Sequence, residues 1–344
     1  MSAVPDAVNP SSNPAPAFAG RRSLHNQAAR GINRVMYVLC WVSAIATITA
    51  LFLILGYILY KGFASINLTF FTSLPRTTDV VGGMRNCIAG SLILIVMASF
   101  IGIPIGMLCG IYLAEYAREN IFTHGVRLVI DVLAGVPSIL VGVLAYGLIV
   151  CGWTPIAKGP NEFINFFISV ANVFVWVRNH TFPSNASAWA GAVALGFMMC
   201  PIIARTTEEM LKLVPKSLRE ASTGLGASRT QTLIRVVIPA AASGIITGIM
   251  LAIARIAGET APLLFTVSLY NYEIITFDKK FPFMHIGLSQ PFPTLTAKIY
   301  EYATSGEPEW IKEAWAGMLV LIVLVLTMNI AVRVVTARKQ AMHR

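Results

Sequence analysis

Apolar residues run through this chain in blocks longer than an amphipathic surface helix needs. The runs at 36–60, 88–113, 128–150, 188–204, 241–267 and 315–337 mostly reach or exceed the roughly 20 residues with which a helix crosses a hydrocarbon core of about 30 Å. The run at 188–204 is short and predicts a span extended into its flanking loops. A further stretch, FINFFISVANVFVWV at 163–177, has only 15 residues and reads as an interfacial or re-entrant helix. Residues 1–35 show no apolar periodicity; they are rich in Pro, Ala, Ser and Asn, then in Arg, which predicts a disordered tail. Arg21 and Arg22 evoke a twin-arginine signal, but the following apolar run is too long for a signal segment and predicts a retained first span.

The 26 lysines and arginines orient these spans, because short loops on the cytoplasmic side carry the excess of positive charge. With six spans and the N-terminus inside, 16 fall inside, 9 fall outside, and Arg255 alone lies within a span. Counting 163–177 as a span would put the six basic residues of loop 205–239 outside, against the rule. The prediction is a cytoplasmic tail at 1–35, a first span at 36–60, an external loop at 61–87 and a core at 88–337 with an external insertion at about 152–187. A cytoplasmic tail at 338–344 follows, so both termini are cytoplasmic.

Composition supports this reading: of 344 residues, 56% are hydrophobic and only 12% charged, with a mean hydropathy of +0.69. The fold class is therefore an all-α polytopic membrane protein in contact with lipid. The net charge of +10 does not point to nucleic acid, since the basic residues are scattered singly without a basic and aromatic stripe. The five cysteines form no CxxC pair and read as small buried hydrophobes. Gly102, Gly106 and Gly110 recur every fourth residue, as do Gly244, Gly248 and Ala252, so two helices offer small-residue stripes for close packing. Pro104, Pro137 and Pro262 each remove a helical hydrogen bond and predict kinks.

Loop 205–239 carries local order of its own. Ser217 with Glu220, and Ser228 with Gln231, have the spacing of capping boxes, and Gly224 or Gly226 can end the helix between them. In the second helix Leu233, Ile234 and Val237 fall on one side. Two short helices below the membrane are either an amphipathic connector or a docking element.

The sequence EASTGLGASRTQTLIRVVIP at 220–239 resembles the EAA loop of ABC-importer permeases. Glu220, Ala221, Gly226, Val236, Ile238 and Pro239 occupy the motif positions, and Ser222 stands where the third residue is usually alanine. The resemblance implies a coupling helix, with Glu220, Ala221, Gly226 and Pro239 placed against a cytoplasmic ATPase. GIYLAEYA (110–117), DVLAGVPSILVG (131–142), RTTEEMLKLVPKSLREA (205–221) and GIITGIMLAIARIAGETAPLLFT (244–266) together resemble the PstA-type permease family of phosphate-specific ABC importers. This covers most of 84–268 and departs at about 152–187; residues 1–20 also lie outside it. It implies a type I importer permease architecture in the bacterial cytoplasmic membrane. The implied partners are a second, PstC-type permease subunit, a dimer of PstB-type ATPase subunits and a PstS-type phosphate-binding protein.

The stretch ARIAGETAPLLF at 254–265 places two charges in a span, where each costs on the order of 3 kcal/mol even on lenient insertion scales. Arg255 lies 11 residues beyond Gly244, roughly 16 Å along a helix and near the bilayer middle. A neutralising i, i+4 pair facing the bundle interior is one explanation. Its Arg-first order is the weaker orientation, and apolar residues replace such pairs cheaply, so a substrate path is favoured. A guanidinium presents a fork matching two phosphate oxygens. An ionised Glu259 can accept the hydrogen of HPO4²⁻ or H2PO4⁻ and would repel sulfate. Pro262 frees the carbonyl of Gly258 and predicts a break at membrane depth, which brings Thr260 into the candidate path with Arg255, Glu259 and Pro262.

No GxxxxGK[ST] loop occurs, so ATP and its magnesium are expected on a partner, with no cofactor in this chain and no enzymatic activity of its own. Alternatives are a permease for sulfate or molybdate, a passive channel or a membrane-embedded enzyme.

Overall fold

The structure is a computed structural model describing residues 19–75, 82–118, 120–151, 169, 172–173, 175, 185–267, 275–277 and 284–342. Most of the insertion at 152–187, with the interfacial helix expected at 163–177, lies outside the described residues, as do residues 1–18 and 343–344. The described residues divide into two units between Leu59 and Tyr60.

The first unit is the greater part of α1 (Ala19–Ser65). Helix begins at Ala19, so the second half of the segment read as a disordered tail is helical. Alanines and arginines there are good helix formers, and the adjoining apolar helix removes the cost of nucleation. Along 31–65 the apolar residues surround the axis without a polar stripe, as suits a helix bathed in lipid or covered by another membrane helix.

In the second unit α2 (Leu68–Thr72) precedes α3 (Arg85–Ile111), which ends in a wide π-type turn at Tyr112–Tyr116. Next come α4 (Ile121–Gly135) and α5 (Ser138–Ala145), the latter continued by a π-type turn at Tyr146–Val150. They are followed by α6 (Ala188–Lys212), α7 (Lys216–Gly224), α8 (Arg229–Thr232), α9 (Ile238–Ala257) and α10 (Ala261–Thr266). The chain closes with α11 (Leu295–Thr304) and α12 (Pro308–Met342). Among the described residues the one departure from an all-helical fold is a two-stranded antiparallel ribbon, β1 (Ile275–Phe277) with β2 (Met284–Ile286), in register at Ile275 with Ile286.

Among the described residues five helical segments are long and apolar enough to cross a membrane, and a sixth span requires α4 and α5 to be taken as one broken crossing bent by 103°. The run at 128–150, read as one span with a kink at Pro137, is interrupted at that residue. Pro137 supplies no backbone N–H and disfavours helix at the residue before it, and Val136 and Pro137 are both extended, with ψ of 131°.

The centre of this unit is α6, flanked by α3 and α9. Leu94, Ile95 and Ala98 of α3, Leu195, Met199 and Ile203 of α6, and Ala252 and Ile256 of α9 form one buried cluster. The glycine stripe of α3 makes the approach possible. A Cβ at Gly102 would lie 2.9 Å from the Gly196 carbonyl oxygen, and one at Gly106 would lie 2.8 Å from Ile203 Cβ, both too close for any side chain. On the other flank, Gly244 and Gly248 of α9 meet Met210 and Thr206 of α6. The stripes seen in the sequence thus fix three helices into one block.

Candidate functional site

The charged span is broken where Pro262 required it. Helix α9 ends at Ala257; the Gly258 and Glu259 amides donate to the carbonyls of Arg255 (3.3 Å) and Ile256 (3.2 Å), and α10 resumes with Pro262 in its first turn. Thr260 caps α10 through its backbone alone: its carbonyl accepts from the amides of Leu263 and Leu264, and its side chain makes no cap bond. The Glu259 carbonyl is taken up by α11, where Thr296 Oγ1 donates to it at 3.1 Å. Loose backbone at membrane depth is thereby satisfied by a neighbour, as hydrocarbon surroundings demand.

Arg255 and Glu259 are paired only loosely, with Nε 3.7 Å from Oε1, beyond hydrogen-bond distance. The two partners differ in burial: Glu259 is largely covered within this chain and Arg255 is not. The Arg255 side chain is 45% exposed and Glu259 19%, and Arg255 continues an exposed ridge with Thr247 and Leu251. The geometry leaves the Arg255 side chain nearly half exposed on the surface of this chain, with a carboxylate one turn away. Behind it, Pro262 packs against Gly142 of α5, so the two broken spans meet. Of the four residues proposed for the path, Glu259 and Thr260 lie in this break, while Arg255 and Pro262 flank it in the last turn of α9 and the first turn of α10.

The residues proposed for coupling lie elsewhere, with Pro239 at the start of α9 about 24 Å along that helix from Arg255. The predicted loop is shorter than 205–239, because α6 runs to Lys212. Pro215 occupies the N-cap of α7, so Ser217 falls inside the first turn and the Ser217/Glu220 capping box does not form. The Ser228/Gln231 box does: the Gln231 amide donates to Ser228 Oγ at 3.3 Å and the Ser228 amide to Gln231 Oε1 at 2.9 Å. Between them α7 closes at Gly226, with φ 85°. There the Ala227 amide donates to the Ser222 carbonyl and the Gly226 amide to that of Thr223, a complete Schellman motif. Beyond α8 a wide turn at Leu233–Val237 buries Leu233 and Val237 but leaves Ile234 exposed, so the apolar side expected there is split. Pro239 follows in the first turn of α9 and has no N–H to give the Arg235 carbonyl, which accounts for the widened turn.

Glu220, Ala221, Gly226 and Pro239 are all exposed and form part of an outward surface. The contacts that hold this surface in place leave no local mark in the sequence. Arg219 pairs with Glu115 in the turn ending α3 and donates through Nη2 to the Leu211 carbonyl at 2.7 Å. Ser222 Oγ lies 2.9 Å from Thr232 Oγ1, which gives the departure from alanine at that position a role. Nearby, Glu208 is nearly buried and receives Arg127 Nε at 2.8 Å and Lys212 Nζ at 2.5 Å, tying α4 to α6. Arg205 bridges Asp131 (3.5 Å) and Glu209 (2.8 Å) beside it. The long sequence separation of these partners hid them; only the i, i+4 spacings within α6 were visible in the chain.

Residues 102–340 match the family described as binding-protein-dependent transport system inner membrane component. The chain is 38% identical over 309 residues to the phosphate transport system permease protein PstA of Yersinia pestis, covering 90% of this chain and 91% of that protein. It is 32% identical over 262 residues to the phosphate transport system permease protein PstA 1 of Mycobacterium tuberculosis, covering 75% and 73%. In fold it resembles a chain of a bacterial alginate ABC transporter, with a TM-score of 0.61 at 14% identity over 90% of this chain and 96% of the other. A multi-pass helical bundle, a broken charged span and an exposed capped loop thus occur together in a member of the binding-protein-dependent transport permeases, and within them the chain belongs to the PstA permease family.

Proposed function

We propose that this chain is a permease subunit of an ATP-driven importer that moves inorganic phosphate across the bacterial cytoplasmic membrane. The observation that carries the reading is the placement of Arg255. A guanidinium left nearly half exposed in a membrane span is costly against lipid and useful against an anion. Its fork offers two parallel bonds to phosphate oxygens and stays charged at any working pH. Glu259, one turn on, accepts the hydrogen that HPO4²⁻ or H2PO4⁻ carries and repels sulfate, which has none. The interrupted backbone at 258–260 resembles the discontinuous helices that form transporter sites.

The open face of α9 is closed by a second, PstC-type permease subunit, so the anion path runs between the two. At the other end of α9 the exposed surface with Glu220, Ala221, Gly226 and Pro239 is the seat of a PstB-type ATPase dimer, which binds ATP and magnesium. A PstS-type phosphate-binding protein delivers the anion from the opposite side. Both termini and α7 are cytoplasmic in this arrangement, in keeping with the positive-inside distribution of basic residues. The assembled complex in vesicles should take up phosphate only when ATP is enclosed with the ATPase, and should not take up sulfate. Uptake without ATP would mean a passive conductance; equal uptake of sulfate would remove the role given to Glu259.

A further inference from the structure

The coupling surface is held to the rest of the molecule in an unusual way. Helix α7 has no buried residue, so it is not locked to the bundle by apolar packing. A cavity of about 300 Å³ lies between it, α8 and the end of α3, lined in part by Glu115, Tyr116, Arg219, Thr223, Arg229 and Thr232. The joints at its two ends are short: Pro215 at the N-cap and Gly226, with positive φ, at the other end. Between those joints two side-chain ties are present among the described residues. Ser222 to Thr232 reaches only α8, the next element of the chain. Arg219 reaches across 104 residues of sequence to Glu115 and also holds the Leu211 carbonyl near the end of α6.

We infer that the Arg219–Glu115 pair is the strut that passes displacement of α7 into the membrane-spanning block, making Arg219 and Glu115 positioning residues for transport. The inference rests on the reading of α7 as the ATPase-docking helix. Glu115 lies in the π-type turn that ends α3, and α3 is fastened to α6 along Gly102, Gly106 and Gly110. Helix α6 is in turn fastened to α9, the helix of Arg255, at Gly244 and Gly248. Close-packed helices move as bodies, since their contacts do not compress. A shift at Glu115 therefore reaches the charged break, whereas a helix beside a cavity with its strut removed pivots on Pro215 and Gly226 and loses that stroke. Both partners of the pair are partly shielded, at 25% and 17% exposure, so solvent screens the link less than it screens a surface pair.

The test uses the assembled transporter in proteoliposomes and reads phosphate imported per ATP hydrolysed, which a merely destabilised protein would not alter. Arg219→Ala and Glu115→Gln should each assemble, keep ATP hydrolysis and lower that ratio at least tenfold. Arg219→Lys keeps the charge but loses the fork that serves Glu115 and Leu211 together, and should fall between. The reversed pair Arg219→Glu with Glu115→Arg should recover part of the ratio lost by Arg219→Glu alone. An unchanged ratio in Arg219→Ala overturns the strut, as does a reversed pair that assembles and is no better than the single variant. Cross-linking from Ala221→Cys to the ATPase separates the strut from docking. The cross-link should form with and without Arg219→Ala. Its loss only in the Arg219→Ala background would make Arg219 a docking residue and overturn the strut, and its absence with Arg219 intact would overturn the docking reading and the strut together.

Discussion

Gly142 and Pro262 touch at the crossing of the two interrupted spans, so closely that a Cβ at position 142 would stand 2.5 Å from Pro262 Cα. The contact binds the bent α4–α5 pair to the short helix that follows the charged break. Overpacking of a well-packed contact costs about 1–3 kcal/mol. Gly142→Ala should therefore lower the thermal midpoint of the purified protein, and Gly142→Leu should abolish phosphate uptake while leaving the chain inserted. Wild-type uptake by Gly142→Leu would mean that the two breaks are independent.

The second prediction separates a path from a packing role at Arg255 and Glu259, because single substitutions damage both by leaving one charge unpaired at a cost of several kcal/mol. The double replacement Arg255→Met with Glu259→Gln removes both charges and roughly preserves volume. It should insert, bind its partners and support ATP hydrolysis, yet carry little phosphate. Arg255→Lys should be intermediate. Full uptake by an assembled double variant would assign the pair to packing.

At Gly226 the backbone has φ 85° and open space around the missing Cβ, so the cost of a side chain is conformational and not steric. Gly226→Ala should destabilise the α7 end by about 1 kcal/mol, seen as faster amide exchange at Ala227 without unfolding of the bundle. A double variant, Glu220→Lys with Gly226→Trp, changes the exposed surface itself and should abolish uptake. Normal uptake would remove the coupling assignment.

Glu208 is 3% exposed between Arg127 and Lys212, which are 22% and 50% exposed. Removing one member of a fully buried pair costs roughly 3–5 kcal/mol, and the wetter partners here reduce that. Glu208→Gln should therefore destabilise by about 1–3 kcal/mol, with a lower melting temperature and an unchanged ratio of phosphate to ATP. A changed ratio at wild-type stability would place Glu208 with Arg219 in the coupling route.

Topology is open to a labelling test at two exposed positions. With all native cysteines replaced, Thr230→Cys should react with an impermeant thiol reagent only from the cytoplasmic side and Glu307→Cys only from outside. Reaction from the same side would contradict an odd number of crossings between them, and with it the assignment of α7 to the cytoplasm.

Hydropathy alone determined that this is a polytopic helical membrane protein and roughly where its helices lie, because a hydrocarbon core admits few other backbones. The glycine spacing in α3 and α9 foretold close packing, the Ser228/Gln231 spacing foretold a capping box, and Pro262 foretold a break, since each acts over one helical turn. Matters involving distant parts of the chain were decided only by the tertiary structure. Pro137 foretold a kink in the run at 128–150, but the 103° bend between α4 and α5 was not legible, because a missing hydrogen bond permits a bend without setting its angle. Ser217 and Glu220 have capping-box spacing, yet Pro215 starts the helix early and the box is absent. Arg255 and Glu259 were legible as a pair, but their separation of 3.7 Å and the outward exposure of Arg255 follow from how α6 and α5 cover the rest of that span. Arg219 and Glu115 show the same limit. Nothing local marks two residues 104 apart as partners, and only the fold that brings the end of α3 beneath α7 makes them one element.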